Sequence, residues 1–381
     1  MPIKTENLLR VGRGEFELNR LPKRPLELLR AWDAADEYLL NTLLEDLKPS
    51  TDARILIFND SFGALAVALS SFQPQTVSDS YLSQQATRLN LAANSLSEQS
   101  VKLVNSLESL QGDFDLVLIK VPKTLALLED QLIRLHPHLL PSTQIIVAGM
   151  IKTLPPSIWK MLERLVGPTT TALARKKARL IFASPDPELV TPANPYPVCY
   201  RLEDSDYLIS NHANVFSRDS LDIGTRFFLQ HLPVRQGNCD IIDLGCGNGL
   251  LGLMAAERNP SATVHFVDES FMAVASAKEN FCRIFGQERS VTFNVGDGLD
   301  DFESASADLI LCNPPFHQQN TVSDQIAVNL FKQSRKVLRK GGELWIIGNR
   351  HLNYHANLNR LFGNHSIVAS NAKFFIMKAI Q

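Results

Sequence analysis

Short apolar runs alternate with stretches whose apolar residues recur every three or four positions. The runs predict strands, and the three- and four-residue spacing predicts amphipathic helices. Strands that alternate with helices imply parallel βαβ units, so the pattern predicts an α/β fold. In the first half the predicted strands span 54–58, a short stretch that ends near 79, 115–119 and 144–148, and the predicted helices span 26–47, 63–71, 82–93 and 124–135.

The second half of the chain repeats this pattern. Two tandem Rossmann-like copies of one fold, over 1–183 and 198–381, are the simplest explanation. The segment 184–197 between them holds five prolines and is predicted to be a stiff linker. In the second half the predicted strands span 240–244, 264–267, 291–295 and 309–312, and the predicted helices span 222–231 and 250–257. We expect the helix 222–231 to form a lid over a pocket. The matching pairs are 55–63 with 241–249, 115–123 with 308–316, 144–149 with 343–348 and 162–167 with 358–363.

Composition narrows the class of protein without identifying a partner. A length of 381 residues, 45% of them hydrophobic, supports two sizeable cores. The net charge of −2 gives no sign of a nucleic-acid binder, so any such role must rest on local basic patches. The five cysteines show no close pairing, and no apolar N-terminal segment is of signal-peptide type or long enough to span a bilayer. We therefore expect a cytoplasmic protein with reduced thiols.

A glycine-rich turn in the second half indicates a nucleotide-cofactor site. The predicted strand 240–244 runs into Gly245, Gly247 and Gly249, and a predicted helix follows at once. Such a turn lets backbone N–H groups and a helix N-terminus approach an anionic group, such as the carboxylate of a methionine moiety.

Polar side chains lie at the ends of four predicted strands of this half. Asp268 would accept hydrogen bonds from ribose hydroxyls, and Asp297 would accept one from an adenine amino group, although a turn aspartate explains Asp297 equally well. Because the carboxyl ends of parallel strands meet at one edge, Asp243, Asp268, Asp297 and Asn313 are expected to converge there as cofactor-binding residues. To this point the features fit a dinucleotide equally well.

Asn313, Pro314, Pro315 and Phe316 follow the apolar run 309–312 directly. The prolines fix the backbone where the strand ends, and the asparagine carbonyl can accept a hydrogen bond. A planar amino group held there beside Phe316 suggests methyl transfer to nitrogen, whereas a loop exit with a buried phenylalanine explains the run equally well when it is taken alone. An Asn-Pro-Pro-aromatic run in this position resembles S-adenosylmethionine enzymes that methylate an amino or amide nitrogen, which favours that cofactor over a dinucleotide.

We hypothesise that Asn313, Pro314 and Phe316 are the catalytic residues. The exocyclic amine of a base is a poor nucleophile until acceptors on its two hydrogens bend it toward a tetrahedral geometry. The Asn313 side-chain oxygen and the Pro314 carbonyl would take those bonds, and Phe316 would stack on the base. No metal is required, and we assign His317 a hydrogen-bonding or structural role rather than that of a base.

The first copy differs where the chemistry would lie. Ile57 stands at the position of Asp243, and residues 120–123 replace the Asn-Pro-Pro-Phe run, so we predict that this copy is catalytically empty. It carries positively charged residues instead, which we expect to bind RNA phosphates. The ordinary alternative is that these residues only form a charged surface exposed to solvent. The residues concerned are Lys120, Lys123, Arg175, Lys176, Lys177 and Arg179.

Segments in both halves resemble the ribosomal RNA guanine-N2 methyltransferases of gamma-proteobacteria, and the likeness covers essentially the whole chain. The resemblance implies two tandem class I methyltransferase domains, with a degenerate N-terminal copy and an active C-terminal copy. The segments are 216–224, 243–249 and 313–317, together with 59–65, 119–129 and 167–171, which are more similar to the large-subunit members of the family than to the small-subunit ones.

The resemblance further implies S-adenosylmethionine-dependent methylation of the exocyclic N2 of one guanine in 23S rRNA, with Phe216 among the substrate-binding residues. We expect a monomer. Three alternatives stay open: the same reaction on 16S rRNA, methylation of a glutamine amide in protein release factors, and a ribosome-assembly factor that keeps only the fold. The duplicated α/β first half argues against the release-factor enzyme, whose companion domain is helical. The intact glycines and Asn313 argue against a protein without activity.

Overall fold

A computed structural model describes residues 7–12, 14–23, 27–314 and 321–381. The chain divides into two compact units, Met1–Tyr196 and Pro197–Gln381, called here the first and second unit. Each unit contains a seven-stranded, mostly parallel sheet with helices on its faces and a two-stranded hairpin.

The first unit opens with a hairpin, after which strands and helices alternate. Its strands are β1 (Leu8–Val11), β2 (Gly14–Glu17), β3 (Ile55–Phe58), β4 (Gln75–Ser78), β5 (Lys102–Asn105), β6 (Phe114–Lys120), β7 (Leu139–Met150), β8 (Thr169–Thr171) and β9 (Ala178–Ala183). Its helices are α1 (Ala34–Asn41), α2 (Ala64–Ala68), α3 (Tyr81–Ala93), α4 (Leu125–Leu135) and α5 (Ser157–Leu165).

The second unit has the same succession of elements. Its strands are β10 (Val198–Arg201), β11 (Leu208–Asn211), β12 (Asp240–Leu244), β13 (Thr263–Asp268), β14 (Val291–Val295), β15 (Ala307–Cys312), β16 (Leu338–Asn349), β17 (Ser366–Ser370) and β18 (Phe374–Ile380). Its helices are α6 (Ile223–Leu229), α7 (Leu250–Arg258), α8 (Phe271–Phe285), α9 (Thr321–Val337) and α10 (Tyr354–Phe362).

The two sheets share one topology. The strand order is β5-β4-β3-β6-β7-β9-β8 in the first unit and β14-β13-β12-β15-β16-β18-β17 in the second. In each sheet the first five strands are parallel, the sixth (β9 or β18) is antiparallel to them, and the last (β8 or β17) pairs antiparallel with the sixth. The predicted pair of tandem α/β domains is therefore confirmed.

The central strands are apolar because both faces of each sheet are covered. In β3, Ile55 and Ile57 pack in one core and Leu56 and Phe58 in the other. In a strand that is buried on both faces, apolar residues do not alternate with polar ones, so a continuous apolar run is the expected sequence pattern.

Equivalent asparagines on α8 and α3 connect these helices to the N-terminal hairpin of each unit or to the residues just after it. Asn280 on α8 accepts a hydrogen bond from the backbone N–H of Ser210 (2.7 Å) and donates to the carbonyls of Ser210 (2.9 Å) and Asn248 (3.0 Å). Asn90 on α3 likewise accepts from the N–H of Asn19 (2.8 Å) and donates to its carbonyl (2.9 Å). The repeated geometry supports a duplication of the whole framework, hairpin included.

Helix α1 is shorter than the predicted helix 26–47. Asp33 caps it: its Oδ1 accepts from the N–H groups of Ala35 (2.8 Å) and Asp36 (3.2 Å). Apolar spacing continues back through Trp32, so periodicity does not reveal where the helix begins. The end of the predicted helix is confirmed, because α1 continues into a π-helical turn over Thr42–Leu47.

The proline-rich segment 184–197 is largely fixed to the first unit. The side chain of Asn194 donates a hydrogen bond to Asp130 (2.7 Å), and the Tyr196 hydroxyl donates to Glu129 (2.9 Å), both on α4. The structural division after Tyr196 therefore lies at the far end of this segment.

An ion-pair cluster closes the carboxyl end of β6. Lys120, the last residue of that strand, places its Nζ 2.8 Å from Asp33 Oδ1 and 2.7 Å from Asp36 Oδ1. The lysine side chain is only 15% exposed, and Asp36 is buried. This cluster joins the start of α1 to the centre of the sheet.

We predict that Lys120→Met destabilises the first unit, because it leaves the buried Asp36 carboxylate without its cation. The free energy of opening of β6 should fall by about 3 kcal/mol, the usual cost of removing one partner of a buried pair. Native-state hydrogen exchange of β6 amides measures this.

Lys123→Met is the matched control for Lys120→Met, since Lys123 is exposed and a surface substitution should stay within about 0.5 kcal/mol. Burial raises the pKa of Asp36 against the opposing effect of Lys120. The penalty in Lys120→Met should therefore shrink as the pH falls and Asp36 takes up a proton. Equal exchange in both variants would contradict a stabilising ion pair.

Candidate functional site

The glycine-rich turn joins β12 to α7, and its glycines serve two purposes. Gly245 (φ +72°) and Gly247 (φ +54°) have left-handed backbones, and a Cβ on either would meet nothing within 4 Å. Gly249 (φ +81°) differs, because its Cβ would lie 2.7 Å from Ala277 Cβ on α8. The first two glycines leave an open face for a ligand, whereas the third permits close packing of two helices.

Asp268, at the end of β13, braces this turn. Its Oδ2 accepts a hydrogen bond from the N–H of Gly247 (2.9 Å), and its Oδ1 accepts from the N–H of Ser270 (3.0 Å). Carboxylate oxygens only accept hydrogen bonds, and ribose hydroxyls can donate them. The predicted ribose-binding residue thus lies directly beside the glycine turn.

Asp243 lies beneath the turn and is 1% exposed. Its Oδ2 accepts from the N–H of Gly252 (2.7 Å), while its Oδ1 is buried without a hydrogen-bond partner in the described part of the chain. Burial raises the pKa of Asp243 to about 8, and the charge of Asp268 acts in the same direction. A buried acceptor without a partner is costly, so this oxygen is suited to a cationic or hydrogen-bond-donating group of a ligand.

Asp297 lies beyond the end of β14, near the same edge of the sheet. The backbone N–H of Gly296 donates to the Asp268 carbonyl (3.0 Å), which fixes the start of this loop beside β13. Burial raises the pKa of the half-buried Asp297, as does the charge of Asp300. The backbone therefore holds the start of the Asp297 loop beside Asp268, which itself bonds to the glycine turn.

Asn313 follows β15 immediately. Its Nδ2 donates a hydrogen bond to the hydroxyl of Thr225 on α6 (3.0 Å), and its Oδ1 is buried without a partner within the described residues. The adjacent Pro314 is buried. Pro315, Phe316 and His317 lie outside the described residues, so the stacking role of Phe316 and the role of His317 stay predictions.

Thr225 and Asp222 are site residues that sequence reasoning missed. Asp222 caps α6 by accepting from the N–H of Thr225 (2.8 Å), and the same Oδ2 lies 3.2 Å from the Thr225 hydroxyl. The Asp-x-x-Thr spacing is a recognisable helix start. Nothing local in the sequence indicates contact with Asn313, which lies 88 positions downstream of Thr225. The predicted helix 222–231 therefore supplies a wall to the Asn313 site.

The first unit places its own polar side chains at the equivalent positions. Asn59 stands in the position of Gly245 and exchanges hydrogen bonds with Gln131 (2.9 and 2.8 Å). The Asp60 carboxylate accepts hydrogen bonds of 2.9 Å from three backbone N–H groups that open α2, those of Ala64, Leu65 and Ala66. Burial raises the pKa of Asp60 to about 6. This carboxylate occupies the helix N-terminus, where a nucleotide fold would receive a ligand anion.

The predicted phosphate-binding residues of the first unit differ in how far they are exposed to solvent. Lys120 is largely buried in its ion pairs with Asp33 and Asp36, which removes it from an RNA-contacting set. Arg179 is half-buried within β9. Lys123 is exposed near the end of β6.

The remaining basic residues form the tip of the β8–β9 hairpin. Lys176 (φ +48°) and Lys177 (φ +62°) are both left-handed, between backbone hydrogen bonds that join Arg175 to Ala178. All three basic residues are exposed, and Lys176 Nζ lies 2.8 Å from Glu37 Oε2. Two lysines where this turn type favours asparagine and glycine carry a conformational cost.

Phe216 precedes α6 and is 71% exposed. The next residue, Ser217, has a left-handed backbone (φ +54°), and the Arg218 guanidinium donates to the Ala213 carbonyl (3.1 Å). An aromatic ring presented on a braced loop offers a stacking face for a base.

Two negative findings apply to the described part of the chain. No helix there is long and apolar enough to cross a membrane. The same residues contain no group of three or more histidine, cysteine, aspartate or glutamate side chains suited to a metal ion.

Comparison with known proteins assigns both units. Residues 6–187 match the RLMG N-terminal domain, and residues 206–378 match the methyltransferase small domain. The 16S rRNA N2 methyltransferase RsmC of T. thermophilus, solved with AdoMet and guanosine, has the same fold: the TM-score is 0.76 at 21% identity, over 98% of this chain and 97% of that one.

Curated relatives are similar over nearly their full length. The ribosomal RNA large subunit methyltransferase G of Stutzerimonas stutzeri is 51% identical over 97% of this chain and 98% of its own. The protein of that name from Pseudomonas aeruginosa is 52% identical over 96% and 97%, and that from Streptomyces griseus is 46% identical over 98% and 100%. The chain belongs to the ribosomal RNA large subunit methyltransferase G family.

Proposed function

We propose that this protein transfers a methyl group from S-adenosylmethionine to the exocyclic N2 of a guanine in 23S rRNA, and that the second unit performs the chemistry. The relatives are named for the large ribosomal subunit, and RsmC of T. thermophilus is named as an rRNA N2 methyltransferase and was solved with AdoMet and guanosine. The observation that carries the proposal is the Oδ1 of Asn313 at the end of β15, which is buried and has no hydrogen-bond partner within the described part of the chain.

The residues around the glycine turn fit this cofactor. Its methionine part carries a carboxylate, which suits the N–H-rich turn, and an ammonium group, which suits the Asp243 Oδ1 that has no partner among the described residues. Asp268 is placed to accept from ribose hydroxyls, and Asp297 from the adenine amino group. The cofactor supplies a methyl group that is already activated by the positive charge on its sulfur.

Asn313 and Pro314 act on the substrate. The guanine amine donates one hydrogen to Asn313 Oδ1 and the other to the Pro314 carbonyl, which withdraws its lone pair from the ring and aims it at the methyl group. Positioning and electrostatic orientation supply most of the acceleration. A base in a duplex cannot reach such a site, so the substrate guanine must be unpaired or extruded, and Phe216 offers a face on which to stack it.

We propose that the first unit binds RNA and holds no cofactor. Ile57 cannot take the place of Asp243, and Asp60 already satisfies the start of α2. The exposed Lys123 and the hairpin tip supply cations for phosphates. Since the cofactor-binding and amine-binding residues all belong to one unit, a single chain suffices, and we propose a cytoplasmic monomer.

We predict that Asn313→Ala lowers the rate of methyl transfer on the order of 100-fold, the usual effect of removing one preorganised polar group that acts in the transition state. Cofactor affinity should change little. Transfer of a labelled methyl group onto protein-free 23S rRNA, 16S rRNA and release factor is the measurement, with Asn357→Ala on α10 as control. Undiminished transfer by Asn313→Ala would refute the assignment, and methylation of 16S rRNA alone would refute the substrate.

We predict that cofactor binding releases about one proton per molecule at pH 7. Asp243, with a pKa of about 8, is mostly protonated before binding, and the ammonium group stabilises its ionised form. Affinity should therefore rise with pH up to about 8 and then level off. Calorimetry in two buffers of different ionisation enthalpy measures the release, which Asp243→Asn should abolish. The same proton release in both proteins would rule out this role for Asp243.

We predict that Lys123→Glu combined with Lys177→Glu weakens RNA binding at least tenfold while cofactor affinity is unchanged. Each lost phosphate contact should also reduce the slope of log K against log salt by about one. Lys102→Glu combined with Lys160→Glu has the same net charge and is the control, since both lysines are exposed on other elements of the first unit. Equal weakening by the two pairs would indicate general charge rather than a binding surface.

A further inference from the structure

The Asn313 amide is useful to a substrate amine in only one of its two orientations. With Oδ1 toward the substrate it accepts an N–H bond, whereas a rotation of 180° would present Nδ2, so that two donors would face one another. Whatever fixes the amide orientation therefore governs whether the site can bind its substrate productively.

Thr225 is the residue in contact with the other end of this amide. Its Oγ1 lies 3.0 Å from Asn313 Nδ2 and 3.2 Å from Asp222 Oδ2. A carboxylate only accepts hydrogen bonds, so the single hydroxyl proton of Thr225 points to Asp222. The hydroxyl is left as an acceptor toward Asn313, which requires Nδ2 rather than Oδ1 on that side.

The carboxylate that sets this direction is itself held in place. Asp222 Oδ2 also accepts from the backbone N–H of Thr225 (2.8 Å) as the cap of α6. The hydrogen bonds therefore run in one direction: Asn313 Nδ2 donates to the Thr225 hydroxyl, and that hydroxyl donates to Asp222. We name these three side chains, Asp222, Thr225 and Asn313, the amide relay.

The first unit contains the counterpart of the amide relay. Asp33 caps α1, Asp36 follows three positions later as Thr225 follows Asp222, and Lys120 ends β6 where Asn313 follows β15. In the first unit Lys120, at the strand end, can only donate hydrogen bonds, and both Asp33 and Asp36 accept from it. In both units, therefore, an acceptor at the start of the helix is paired with a donor at the end of the strand. The residues that form this pair differ between the two units.

We infer that Thr225 is a positioning residue for methyl transfer: held by Asp222, it fixes the Asn313 amide with Oδ1 facing the substrate amine. This inference rests on the proposed role of Asn313. Through Thr225, helix α6 then determines whether a guanine amino group can bind in the productive orientation.

The test compares Thr225→Val, which keeps the side-chain shape but removes the hydroxyl, with Thr225→Ser, which keeps the hydroxyl. Thr225→Val should lower kcat about tenfold or more at saturating cofactor and rRNA, with cofactor Kd within twofold of the parent protein. Thr225→Ser should retain kcat within about threefold. If Thr225→Val does not fold, as judged by its melting temperature, Thr225→Ala replaces it with the same expectation.

A double variant separates positioning from a structural role. If Thr225 acts through Asn313, adding Thr225→Val to Asn313→Ala should leave the residual rate unchanged. A further tenfold loss in the double variant, or full kcat in Thr225→Val, would overturn the inference. Full activity of Asn313→Ala alone would instead refute the proposed catalytic role of Asn313, so the two failures are distinguishable.

Discussion

Polar groups that are buried at the carboxyl edge of a parallel sheet need hydrogen-bond partners. The two units of this protein differ in how those partners are supplied. The first unit supplies them internally: Asp60 caps α2, Asn59 pairs with Gln131, and Lys120 neutralises two carboxylates. In the second unit, oxygens of Asp243 and Asn313 are buried without partners among the residues that the structure describes. Since unmet acceptors cost free energy, that unit gains stability when a ligand supplies the missing donors.

The framework around these two edges is the same in both units. Strand order, the capped helix before the central strand, and the asparagine that connects a helix to the N-terminal hairpin or to the residues just after it all recur. These features keep the backbone in place whatever the edge contains. A duplicated fold can therefore change the chemistry of one copy without losing its packing, because the edge and the core are separate sets of residues.

Much of this arrangement could be predicted from the sequence, since its signals are local. The strand 240–244 and its glycine turn follow from a few consecutive residues, and the duplication follows from matching apolar runs. The contact of Thr225 with Asn313 could not be predicted, because a hydrogen bond between distant segments leaves no periodic signal. Lys120 illustrates the converse error: a lysine at a strand end suggests an exposed cation, yet Asp33 and Asp36 approach it through the fold. Short strands such as β5 and β8 contain too few residues to establish a period.

The third glycine of the turn has a consequence for reading such motifs. Gly63 in the first unit matches Gly249: its φ is +78°, and its Cβ would lie 2.8 Å from the backbone of Thr87 on α3. The steric demand persists in a unit whose ligand-facing glycines are replaced. A search that counts all three glycines as evidence for a nucleotide therefore counts a helix-packing requirement as well. In this fold the diagnostic glycines are the two whose missing side chains would point into open space.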